Sequence, residues 1–132
     1  SRRAWEGLIF EQVCKDHIFA IKQKLGISGI LSEESAWFVR ADKESGTSGA
    51  QIDLLIKRRD RVITICEIKF SSGEYQITKD FDLNLRNKVE QFKAETNCKE
   101  SIQLVMLTTY GVKKNEYSSV IQKQIVMDDL FS

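Results

Sequence analysis

Between residues 50 and 70 the chain carries two β-type runs, 50–57 and 62–70, joined by the tight basic stretch Arg58-Arg59-Asp60-Arg61. Successive side chains of a strand leave opposite faces. In the first run Ile52, Leu54 and Ile56 therefore point one way, and Asp53 and Leu55 the other. In the second, Val62, Cys66, Ile68 and Phe70 oppose Ile63, Ile65, Glu67 and Lys69. Both faces of both runs are largely apolar, so the strands belong in the middle of a sheet that is covered on both sides. Helices must supply the cover, which predicts an α/β fold in three layers, an α/β/α sandwich.

The rest of the chain contains the helices that this architecture needs. Leu8, Phe10, Val13, Cys14, Ile18, Ile21 and Leu25 recur at helical spacing and predict one helix over 5–25, closed by Gly26. Residues 30–41, with Trp37 and Val39, read as a first strand, and 44–49 as a loop. A second helix is expected over 79–96, with Phe81, Leu85, Val89 and Phe92 as its apolar stripe. An apolar strand follows over 102–109, and a short last one over 124–127. The order is αβββαβ with a further β, giving a central sheet of four to five strands. With 132 residues there is room for one domain. There is no proline, so the breaks are read from Gly, Ser and Asn. The chain opens Ser1-Arg2-Arg3, without a methionine, straight into a helical pattern, which reads as a domain cut from a longer polypeptide.

Charge and cysteine usage narrow the function classes. Twenty Lys+Arg against nineteen Asp+Glu leave a formal +1, so any site for a polyanion must be local. Cys14, Cys66 and Cys98 are odd in number and far apart, which argues against a zinc pair or a disulfide framework and for a reducing cytoplasm. No apolar run reaches the length of a membrane span. His17 is the single histidine, too few for histidine-based nuclease chemistry. Gly46 and Gly49 lack the lysine and spacing of a phosphate-binding P-loop.

Three polar residues interrupt strands that otherwise look buried: Asp53, Glu67 and Lys69. Glu67 and Lys69 share a face. Asp53 joins them if the hairpin register sets it opposite Glu67, which a loop of Arg59-Asp60-Arg61 would do; a slip of one residue would undo it. Two carboxylates and an ammonium would then meet at one end of the sheet, and two close carboxylates in a low dielectric invite a hard divalent cation such as Mg²⁺, with Mn²⁺ as a substitute. The plain alternative is an ion pair on a half-solvated strand. On the first helix Glu11 lies within the apolar stripe, either as a third carboxylate aimed at this face or bonded to Lys15 four residues on. On the second helix Lys88 falls inside the stripe and Gln91 at its margin. Lys88 either snorkels to solvent or holds a phosphate oxygen, with Gln91 positioning substrate or water. The basic turn, Arg58 and Arg59 above all, is either solvated or in contact with phosphates.

These residues resemble the PD-(D/E)xK nuclease superfamily, the restriction-endonuclease-like fold. Gly49-Ala-Gln-Ile-Asp53 and Ile65-Cys-Glu67-Ile-Lys69 carry the resemblance, preceded by a helix bearing Glu11. The likeness extends to the C-terminal nuclease-like domain of prokaryotic AAA-type ATPases, through Trp5-Glu6, Phe10-Glu11, GAQIDLLI, CEIKFS, Thr109-Tyr110-Gly111 and Asp128-Asp-Leu-Phe131. Ile52 stands where the superfamily name has proline, and Glu95 where RecB-like relatives place tyrosine after Gln91. The resemblance implies a mixed sheet, an ATPase domain preceding this one, and Mg²⁺-dependent hydrolysis of phosphodiesters in nucleic acid, DNA first. It implies a metal held by Asp53, Glu67, the backbone carbonyl of Ile68 and Glu11, with Lys69 acting on the water or the phosphoryl oxygens. A homodimer would suit the cutting of both strands of a duplex. The competing reading is a catalytically silent restriction-like domain that serves the ATPase as a regulatory or DNA-docking module.

Overall fold

The computed structural model describes residues 1–132. Helix α1 (Arg2–Lys15) and α2 (Ile18–Lys24) lead into strand β1 (Ser32–Val39). Strands β2 (Ala50–Arg58) and β3 (Val62–Lys69) follow, then α3 (Lys79–Thr96), β4 (Ser101–Thr108) and β5 (Lys123–Val126), with short 3₁₀ turns at Ser118–Val120 and Met127–Leu130. The five strands lie side by side in the order of the sequence, β1-β2-β3-β4-β5. β2 runs antiparallel to its neighbours β1 and β3, whereas β4 runs parallel to β3 and β5 parallel to β4. The sheet is mixed because α3 carries the chain back between β3 and β4, the crossover that a parallel pair requires.

Each face of the sheet has its own core. On one side Leu54, Ile56, Cys66, Val105 and Leu107 pack under Phe10 and Cys14 of α1 and Ile21 of α2. On the other, Leu55, Ile63, Ile65, Leu104 and Met106 pack under Leu85 and Phe92 of α3. This is the three-layer α/β/α sandwich expected from the two-faced strands. No helix is long and apolar enough to cross a membrane.

Two local features depart from the sequence expectation. The single helix over 5–25 is broken at Asp16 and His17. His17 sits at φ −123°, ψ 37°, outside the helical region, and its Nδ1 lies 2.6 Å from the carbonyl oxygen of Val13. Neither glycine nor proline marks this break, so nothing in the local sequence signals it. Strand β2 also contains a β-bulge. Ser35 pairs with Leu55 but Trp37 with Ile52, so β2 holds one residue more than β1 between those rungs. As a result Ile52 and Leu55 both reach the α3-side core, where strict alternation would have separated them. The extra residue falls beside Asp53.

Candidate functional site

The β2–β3 ladder pairs Lys57 with Ile63, Ile56 with Thr64, Leu55 with Ile65 and Leu54 with Cys66. β2 ends at Arg58 and β3 begins at Val62, leaving Arg59, Asp60 and Arg61 as the three-residue loop. Arg61 is left-handed, φ 65°, as the last residue of such a loop must be. Continuing the register by one residue beyond Leu54 and Cys66 sets Asp53 opposite Glu67. The regular pairing ends there, at the bulge, a device that turns side chains and is over-represented beside active sites. The carboxylate of Asp53 accepts a hydrogen bond from the amide Nε2 of Gln51.

Glu67 and Lys69 face α3, as their spacing requires. The ammonium of Lys88 on α3 donates to Glu67 Oε1 at 2.8 Å, with the glutamate side chain 10% and the lysine side chain 24% exposed. Lys88 therefore points inward instead of snorkelling past the ring edges. Its charge offsets that of a carboxylate held largely away from water. Glu67 Oε2 has no hydrogen bond to the protein. Lys69 Nζ lies over the Phe81 ring, 5.7 Å from its centre, and Phe81 stacks edge-on against Tyr75 at 5.4 Å. Burial, and then the negative charge of Glu67, push the Tyr75 phenol above its ordinary range. Gln91, one turn beyond Lys88, donates through Nε2 to the carbonyl of Ser48, in the loop that leads into β2. Ile68, between the two charged residues, packs its side chain into the opposite, α1-side core.

Glu11 is not brought to this group. Its carboxylate accepts from Lys15 Nζ at 3.0 Å, one turn along α1, in the layer across the sheet from Lys88. Of the two readings of Glu11, the geometry shows the local ion pair with Lys15. No group of three His, Cys, Asp or Glu side chains is placed to hold a metal together. The basic turn is engaged within the chain at two of its residues. Arg58 donates to both Asp60 oxygens, at 2.9 and 2.6 Å, and to Gln103 Oε1 at 3.2 Å. Lys57 pairs with Glu100 at 3.6 Å. Arg59 lies in the same hairpin tip, at the far end of β3 from Glu67. Five residues at ~3.3 Å each put the tip roughly 16 Å away.

Three residues around this site are not among the expected site residues: Gln51, which donates to Asp53, Phe81, expected only as part of an apolar stripe and lying under Lys69, and Tyr75, which stacks on Phe81. Phe81 and Lys88 are seven apart on one helical face, a spacing visible in the sequence. Tyr75 lies in an irregular segment whose path is set by a bridge to Val112, and no local pattern marks it.

No family model matches this chain, and no curated protein matches it. Among solved structures the chain is similar to the crystal structure of AF1548, a protein of unknown function. The TM-score is 0.53 and the sequence identity 13%, over 87% of this chain and 55% of that one. This chain thus spans about half the length of that neighbour. At this identity the likeness speaks for the α/β fold alone.

Proposed function

We propose that the domain hydrolyses phosphodiester bonds of nucleic acid, DNA first, at a PD-(D/E)xK-type site formed by Asp53, Glu67 and Lys69. The reading rests on the hairpin register: Leu54 pairs with Cys66, and continuing that register by one residue would set Asp53 opposite Glu67, two residues from Lys69, beside the bulge. Two carboxylates on adjoining strands, one with an oxygen free of protein partners, suit a hard cation in donor type and number. Asp53, Glu67 and the carbonyl of Ile68 would hold Mg²⁺, whose contribution when bound is a polarised phosphate and a water of lowered pKa. Lys69, held over Phe81, orients the attacking water or stabilises charge growing on the phosphoryl oxygens. Gln91 fixes the loop before β2 and so the approach to Asp53. The β-strands keep these groups rigid, as alignment for attack requires.

The silent-module reading draws on a different observation. Lys88 already balances Glu67 without any ion, as a structural pair would. Two measurements separate the readings. Under the nuclease reading, Mg²⁺ or Mn²⁺ raises the melting temperature, and Asp53→Asn abolishes the gain. Linear, nicked or branched DNA is cleaved in Mg²⁺, and Lys69→Ala removes the cleavage. No cation-dependent shift, together with no cleavage above that of Lys69→Ala, leaves the module reading standing.

A further inference from the structure

Helix α1 is apolar on two sides. Phe10 and Cys14 are buried against the sheet, yet Trp5, Leu8 and Ile9 remain 63%, 67% and 45% exposed. At ~100° per residue these three fall with Arg2, Gln12 and Asp16 in one arc of about 120°, turned away from Phe10 and Cys14. Arg2, Gln12 and Asp16 are exposed too. The sequence pattern had placed Leu8 in the inward stripe; in the fold it lies on the outer one. A single exposed apolar residue means little, but three large ones grouped on one helical stripe with polar ends form a contact surface.

We propose that this stripe is a twofold contact between two copies of the chain, with α1 lying antiparallel to α1 of the partner. The order of charge along the helix selects this occupant. Arg2 stands at the first turn, Asp16 caps the last, and Ile9 lies midway, seven residues from each. A twofold axis through Ile9 brings each Arg2 beside the partner subunit's Asp16, about 21 Å along α1 at the ordinary helical rise. The same axis puts Ile9 on Ile9 of the partner subunit, and Trp5 near Gln12 of the partner subunit. A parallel arrangement would instead set arginine on arginine and aspartate on aspartate. Within one copy Arg2 contacts only Glu6, at 3.4 Å and with its own side chain 92% exposed, so little holds it back. The contact is isologous and closes at two copies. It does not depend on the chemistry assigned to Asp53 and Glu67.

Sedimentation equilibrium of the 132-residue chain tests this. The expected result is a concentration-dependent dimer that becomes monomeric in Ile9→Lys and in Leu8→Gln, both of which keep the wild-type far-UV circular dichroism and a cooperative melt while losing the concentration dependence of the melting temperature. Arg2→Asp weakens the dimer about tenfold, since the axis repeats each ion pair. Arg2→Asp combined with Asp16→Arg restores it. A wild-type chain that stays monomeric up to about 1 mM overturns the proposal. So does a dimer that survives Ile9→Lys, or a double variant no tighter than Arg2→Asp.

Discussion

At Glu67 one hydrogen bond sets the electrostatics of the whole site, because Lys88 supplies the only protein partner of a carboxylate that is largely out of water. Removing one member of such a pair leaves the other desolvated and uncompensated. Lys88→Met is therefore expected to cost about 1–3 kcal/mol in urea unfolding. On the nuclease reading the same variant gains more stability from Mn²⁺ than the wild type does, because the cation meets a carboxylate freed of its ammonium. An equal gain in both proteins would place the cation elsewhere. The E-x-K spacing made the shared face of Glu67 and Lys69 visible in the sequence. The choice between an inward and a snorkelling Lys88 was not visible, because both leave the helix in the same direction and only the depth of Glu67 behind it decides. Glu11 shows the converse. Its partner Lys15 lies one turn away in sequence, and that local pair prevailed because α1 docks on the opposite side of the sheet from Lys88.

Among the elements, α3 and the β2–β3 hairpin follow most directly from local sequence. The helix spans Lys79–Thr96, as its apolar spacing predicts, and Thr78 caps it by accepting from the Phe81 N–H at 3.1 Å. Thr78→Ala is expected to lower stability by about 1 kcal/mol, read from the urea midpoint. In the hairpin, Arg61 holds a left-handed conformation that costs a residue with a Cβ of the order of 1 kcal/mol. Arg61→Gly removes that strain, so a rise in melting temperature is expected even though a long side chain is lost. A fall would mean that the arginine makes compensating contacts. The break at His17 and the bulge at Asp53 lie beyond such local reading. The first is a helix ending without glycine or proline. The second arises because β1 and β2 must both keep their apolar residues on the sheet while differing by one residue in length.

Across the whole molecule the sheet separates two cores, and the α1-side core contains two thiols, Cys14 and Cys66. Burial, together with the negative charges near them, pushes both up to about 12 from an ordinary value of 9.0. The folded state thus keeps protons that the unfolded chain releases, so stability is full below pH 9 and falls as pH rises from there toward 12. Melting temperatures measured across that window should decline, and the decline should flatten in Cys14→Ala/Cys66→Ala. An identical slope in the double variant would assign it to other groups. By itself the sequence determined the layering, since strands apolar on both faces admit no other cover than helices. It left the register of the hairpin conditional, and the ladder with its Arg59-Asp60-Arg61 loop decided it. Tertiary structure alone decided which charges meet. Lys88 reaches Glu67, Glu11 stays with Lys15, and the basic turn lies at the far end of β3, because side-chain encounters depend on which face each helix covers and on where a bulge interrupts the pleat, and neither is encoded within a few residues of the groups concerned.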